Sequence, residues 1–158
     1  MNSQADGIGV LSRAEAVALL GTQEVGRLVY TRRALPAVRP VNFRLYGDAV
    51  LFWTRSGSSL GKAVRGAVVA FEVDEFDTAT RSGWSVAVTG TAQLVTDRCL
   101  LDRARAEGPT PWAPGATEHL VRIPLTMVTG RWLGPRPHRA RPPAEGSGQS
   151  PIPPSALS

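Results

Sequence analysis

The sequence predicts a mainly β fold: an antiparallel barrel of about six strands with two or three short helices. Three observations carry this. The β-prone stretches are short and closely spaced, with tight turn signals between them in the first half of the chain. No regular alternation of strands with long helices, the mark of a parallel sheet, is present. The chain has 158 residues, 42% hydrophobic and 20% charged, which suits one soluble domain with a sizeable core.

The elements follow in chain order. Residues 1–10 lack a periodic pattern and read as a flexible N-terminus. Residues 11–20 read as a helix. Ser12 and Glu15 are spaced as a capping box, Ala16, Val17, Leu19 and Leu20 give an apolar side, and Gly21 is a stop. Residues 25–30 are β-prone, and 32–35 form a connection. Val38, Val41, Phe43 and Leu45 mark a second strand, in which Pro40 favours an edge or a bulge. Tyr46, Gly47 and Asp48 signal a turn, and Val50 to Thr54 form a third, strongly apolar strand.

Residues 55–59 are small and polar, and 60–65 suit one or two helical turns. Residues 67–73 form a fourth strand and 74–83 a polar loop. Residues 84–95 form a long fifth strand that Gly90 bends. A second helix spans 97–107, with Leu100 and Leu101 as its apolar contacts. Residues 108–115 are irregular, and 120–123 with 127–133 form a last strand or a bent pair. The domain is therefore expected to end at 133. From Gly134 the chain is Pro-, Arg-, Gly- and Ser-rich and reads as a disordered tail over 134–158.

Composition excludes several functions. No apolar run approaches the roughly 20 residues of a membrane helix, and the N-terminus lacks a secretory pattern. A single cysteine, Cys99, forms no internal disulfide, and a cytoplasmic location is the simplest reading. The net charge is +5 and the pI about 10.6. The basic residues are spread along the chain among acids, so mild basicity is solvated surface rather than a nucleic-acid interface. Of 18 basic residues one, Lys62, is lysine and the rest are arginine. No dinucleotide-binding glycine motif and no phosphate-loop motif of the nucleotide hydrolases occurs. Two histidines, His119 and His138, leave little for a triad or a metal site. Asp74, Glu75 and Asp77 read as a solvated loop rather than metal ligands.

One segment is chemically informative. After Trp53 and Thr54 comes a run of small residues, Arg55-Ser56-Gly57-Ser58-Ser59, and then Leu60-Gly61-Lys62. A strand end, a hydroxyl-rich loop and a helix start with a lysine offer amide, hydroxyl and ammonium donors to a phosphate. An ordinary Ser/Gly turn with a helix cap fits the same residues.

Trp53-Thr54, Ser58-Ser59 and Lys62 resemble the phosphate-binding stretch of the pyridoxamine 5′-phosphate oxidase-like proteins, which share the FMN-binding split barrel. Arg39-Pro40-Val41-Asn42-Phe43 resembles the family strand that lines the flavin. Residues 67–73 resemble the strand after the phosphate helix, and 84–92 the long strand ending in a glycine. The resemblance runs in order over roughly residues 11–132. It implies a small, divergent member of the family: a split β-barrel acting as a homodimer, with the flavin at the subunit seam.

In that reading Arg39 pairs with the phosphate or with the electron-rich edge of the flavin. Thr54, Ser58, Ser59 and Lys62 hold the phosphate, and Val41 to Phe43 present backbone groups beside the ring. Trp53 or Trp84 packs near the ring or ribityl chain, with core or dimer packing as the alternative for each, and the family's strand glutamine is replaced near Ser85. The cofactor is FMN, with a deazaflavin coenzyme as the alternative. The activity implied is oxidoreduction of a small molecule, with no general acid or base identified. A non-enzymatic flavin, deazaflavin or haem binder on the same fold is the other possibility. The single cation at 62, where the oxidase proper has Arg-Lys together, and the missing pyridoxal phosphate-binding terminus argue against vitamin oxidase activity.

Overall fold

A computed structural model of the chain describes residues 8–115 and 117–135. These form two antiparallel sheets that enclose one core, so the expected mainly β split barrel is found. The expected tail lies outside the described residues, apart from 134 and 135.

Of the N-terminus expected to be flexible, residues 8–10 form β1 (Ile8–Val10), which pairs with the last strand, and residues 1–7 lie outside the described residues. Helix α1 (Arg13–Leu20) starts at the predicted box. The Ser12 hydroxyl accepts from the Glu15 amide at 3.2 Å, and the Glu15 carboxylate accepts from the Ser12 amide at 2.9 Å. Its Ala16 and Leu20 are buried against the barrel.

In β2 (Val25–Arg32) Leu28 and Tyr30 point into the core while Arg27 points out, the period-two pattern of a half-buried strand. A two-residue turn, Arg33-Ala34, leads to β3 (Leu35–Asn42). Both turn residues have positive φ, 51° and 63°. Asn-Gly is the usual choice at such a turn, and side chains there cost about 1–2 kcal/mol per residue. Strand β3 ends the six-stranded order β1-β10-β7-β6-β2-β3, with β6 at Val68–Asp77, β7 at Ser82–Thr91 and β10 at Met127–Leu133, so Pro40 does sit on an edge.

The second strand expected from the sequence is two strands in two sheets. The chain turns at Phe43, whose ring packs edge-on against Phe71 at 4.8 Å. It continues as β4 (Arg44–Tyr46) in the four-stranded sheet β4-β5-β9-β8, with β5 at Ala49–Thr54, β8 at Gln93–Leu94 and β9 at His119–Pro124. There β5 (Ala49–Thr54) is buried along its whole length. Val50 and Phe52 face the barrel core. Leu51 and Trp53 face a second cluster with Leu120 and Ala104. Both faces of this apolar strand are therefore covered within one chain.

Helix α2 (Ser59–Val64) follows and buries Leu60 and Val64. Strands β6 (Val68–Asp77) and β7 (Ser82–Thr91) pair through Asp77 and Ser82. The polar stretch 74–83 is thus mostly hairpin rather than loop. The Asp77 carboxylate closes its turn by accepting the Ala79 and Thr80 amides at 2.8 and 3.3 Å.

Gly90 lies inside β7 without a break. A side chain there would meet the Pro124 carbonyl at 2.5 Å, so the glycine permits close approach of the next sheet. The strand breaks instead at Ala92, between β7 and β8 (Gln93–Leu94). Helix α3 (Arg98–Glu107), capped by Asp97, lays Leu100 and Leu101 on the second cluster. Strands β9 (His119–Pro124) and β10 (Met127–Leu133) complete the two sheets. The described residues thus hold ten strands, more than the six expected, because three expected strands split where the chain changes sheets and β1 adds another.

Candidate functional site

The site begins where β5 runs out. Thr54 is buried, and its hydroxyl reaches toward the His119 carbonyl at 3.5 Å on the paired strand. The chain then turns sharply: Gly57 takes φ +68°, and the Ser58 amide donates to the Arg55 carbonyl at 3.3 Å. Ser58 caps α2, its hydroxyl accepting the Gly61 amide at 3.0 Å. A side-chain carbon at Gly61 would stand 3.2 Å from the Ser58 hydroxyl and 3.4 Å from that of Thr54. The missing side chain leaves a small hydroxyl-lined cradle, the donor chemistry that suits a phosphate oxygen.

The loop is tied down from outside. The Ser56 amide donates to the Glu118 carboxylate at 2.9 Å, and the Arg55 guanidinium donates to the Pro114 carbonyl at 2.6 Å.

Three cavities surround this loop. The first, about 250 Å³, has one wall of Arg39, Pro40, Val41 and Asn42 from β3 and another of Trp53, Thr54 and Ser58. Pro111 and Ala113 form its third side. The irregular segment is held there by Asn42, whose side-chain oxygen accepts the Trp112 amide at 2.9 Å. A second cavity of about 310 Å³ lies behind the loop, between Lys62, Arg65, Gln93 and His119. A third, open trough of about 420 Å³ runs between the Arg32-Arg33 turn and Ser59 and Lys62.

The site expected from the sequence is therefore gathered in part. Arg39, Pro40, Val41, Asn42, Trp53, Thr54 and Ser58 share the first cavity. Ser59 and Lys62 lie around α2, lining the trough, and Lys62 also reaches the second cavity. Phe43 is buried in the core against Phe71 and does not line the cleft. Ser85 faces outward on the six-stranded sheet and donates to Glu72 at 3.2 Å, away from the loop. Trp84 is buried in the barrel, so of the two tryptophans proposed for the ring Trp53 is the one at the cleft. Pro111, Ala113 and the Arg32-Arg33 pair are site neighbours that sequence reasoning missed. The adjacent arginines at a turn were the available signal.

The cleft is electropositive. Among the described residues the ion pairs involve Arg27, Arg105 and Arg122. Arg32, Arg33, Arg39, Lys62 and Arg65 have no acidic partner within 4 Å there, so they offer positive charge to a ligand. The outer face of the sheet is different. Partial burial and the neighbouring Asp74 raise the Glu72 carboxyl above its ordinary range, and the two acids bracket Arg27 at 3.1 and 3.0 Å. Among the described residues no group of three or more His, Cys, Asp or Glu side chains is placed to hold a metal ion.

Comparison with known proteins decides the family. The model of the pyridoxamine 5′-phosphate oxidase family matches residues 12–132, which contain both sheets' central strands and the whole loop. This chain belongs to that family. The uncharacterized protein Rv0080 of Mycobacterium tuberculosis is 42% identical over 125 residues, covering 76% of this chain and 82% of that protein. The structure of the FAD binding protein from Mycobacterium smegmatis is 32% identical, with a TM-score of 0.64 over 80% of this chain and 98% of that one. A conserved protein of unknown function from Corynebacterium diphtheriae is 33% identical, with a TM-score of 0.68 over 81% and 99%. The oxidase-family fold thus accounts for both sheets and for the position of the loop. Among the described residues no helix is long and apolar enough to cross a membrane.

Proposed function

We propose that this chain binds a flavin nucleotide in the cleft between β3 and the β5–α2 loop, and uses it for redox chemistry on a small molecule. One observation carries the reading: residues 39–42 on β3 and residues 53, 54 and 58 at the end of β5, which belong to different sheets, line one concave surface beside a cradle of hydroxyls. A fused aromatic ring suits the apolar walls of Val41, Pro40 and Trp53, and Arg39 meets its electron-rich edge. The phosphate sits by the Thr54 and Ser58 hydroxyls, with Lys62 adding charge from the far side of α2. The 32%-identical relative is described as FAD binding, which supports a flavin. FMN is the simplest such ligand, and a deazaflavin coenzyme offers the same phosphate.

A bound flavin supplies hydride and single-electron transfer. The chain's part is to grip the phosphate, orient the ring and exclude water through the segment around Pro111 and Ala113. Among the described residues no carboxylate, histidine or thiol lines the ring cavity, so none of the usual general acids stands there. That same observation favours a second reading, a flavin store or sensor without turnover.

A homodimer fits the outer face of the six-stranded sheet. There Val38 lies opposite Val29, Val29 opposite Ala70, Ala70 opposite Thr89, and Thr89 opposite Met127. Val38 and Met127 are 62% and 60% exposed, an apolar row that a second copy would cover. A cytoplasmic location agrees with the single, exposed thiol of Cys99.

Flavin fluorescence titration tests the assignment. Lys62→Ala is expected to weaken FMN binding by about 1–3 kcal/mol, the scale of a lost charged hydrogen bond. Arg39→Ala should weaken it comparably. Unchanged affinity in both folded variants would remove the site from this cleft. Bleaching of the bound flavin by a reduced nicotinamide, then reoxidation by an electron acceptor, separates the enzyme from the store.

A further inference from the structure

We propose that the trough between the Arg32-Arg33 turn and Lys62 is a second phosphate subsite. It would extend the flavin cleft so that two phosphates are held, one on each side of the β5–α2 loop. The inference rests on the flavin reading.

The lining of the trough is phosphate chemistry throughout. It brings together three cations, Arg32, Arg33 and Lys62, with the hydroxyls of Thr31 and Ser59, and among the described residues no acid lines it. None of the three cations has a carboxylate within 4 Å among the described residues. Like charges aimed into one concavity repel until an anion enters.

The two donor sets lie on opposite sides of one short loop. Ser58 lines the ring cavity and Ser59, its neighbour, lines the trough. Lys62 and Gly57 line both the trough and the cavity behind Thr54, so an ammonium and an open backbone stand between the two positions.

The turn itself adds to this. Arg33 and Ala34 hold positive φ without the Asn or Gly that would relax them. Such cost tends to be retained where a side chain must be displayed, and here Arg33 is displayed beside α2. The second phosphate has two possible carriers: a dinucleotide flavin that bears both, or a separate nucleotide beside a mononucleotide flavin.

Titrations of FAD, FMN, and AMP onto FMN-loaded protein, at one ionic strength, distinguish the carriers. The test variant is Arg32→Gln with Arg33→Asn, because Asn tolerates positive φ and preserves the hairpin. Arg81→Ala, on the β6–β7 turn, is the control for altered surface charge. For a dinucleotide, wild type should bind FAD about tenfold or more tighter than FMN, as two charged contacts allow. The double variant should lose most of that margin while FMN affinity changes less than about threefold, since its phosphate lies across the loop. For a separate nucleotide, AMP should bind the FMN-loaded wild type and fail on the variant.

Equal weakening of FMN and FAD in the variant, or no effect on any ligand, overturns the second subsite and leaves the flavin cleft standing. Failure of wild type to bind FAD and FMN alike overturns both.

Discussion

The Asn42 side chain accepts the backbone N–H of Trp112 at 2.9 Å, joining the end of β3 to a segment seventy residues away. This bond holds the Pro111–Ala113 wall over the cleft, while Trp112 itself stays 74% exposed. Asn42→Ala removes the acceptor and leaves the fold's core untouched. The wall should loosen, seen as faster backbone hydrogen exchange across residues 109–114. Flavin affinity should drop by about 0.5–1.5 kcal/mol, the net worth of one such bond. Unchanged exchange there would mean that the wall is held by other contacts.

Gly61→Ala separates stability from binding. Alanine in a helix is favoured over glycine by about 1 kcal/mol, which offsets the crowding of the new carbon against Ser58 and Thr54. The melting temperature should therefore change little. The same carbon fills the hydroxyl-lined cradle, so flavin affinity should fall about tenfold or more, the scale of one lost charged hydrogen bond. Full flavin affinity in this variant would show that the phosphate sits elsewhere.

The exposed row on the six-stranded sheet makes a prediction about assembly. Val38→Lys places a charge in the apolar row at a residue that is 62% exposed in the single chain. Light scattering should show wild type as a dimer and the variant as a monomer, or as a dimer with Kd raised at least about tenfold. A wild-type monomer at micromolar concentration would exclude this surface as an obligate interface.

Acid stability should register the β6–β7 turn. Two backbone amides donate to the Asp77 carboxylate and hold its pKa below the ordinary carboxylate range. A carboxylate with a lowered folded pKa contributes stability above its unfolded value. That contribution is lost as pH falls through the folded one, below about pH 4. Asp77→Asn keeps an acceptor but cannot titrate, so its denaturant midpoint should fall less steeply than that of wild type over this range. Parallel acid profiles would contradict the turn's role.

Much of this was legible in the chain itself, for identifiable reasons. The capping box at Ser12 and Glu15 acts within four residues, and so does the run at Val50 to Trp53, so local pattern suffices for both. The change of sheet at Phe43 was not legible, because an apolar residue there continues the period of the strand before it. Asp74, Glu75 and Asp77 read as loop because they are polar, yet their backbones complete a hairpin whose outer face is solvated. Within the site, residues 53, 54 and 58 form one local unit. Residues 111 and 113 approach them only through the fold, and Arg32-Arg33 comes beside Lys62 by the packing of a hairpin on α2.

The central claim concerns where the ligand sits, and hydrogen–deuterium exchange of the protein with and without saturating FMN tests it directly. Protection should appear in three separate stretches, residues 39–42, 54–62 and 109–114, and stay near zero on β1 and the outer ends of β6 and β7. Protection confined to those outer strands, with residues 54–62 exchanging as freely as before, would contradict it.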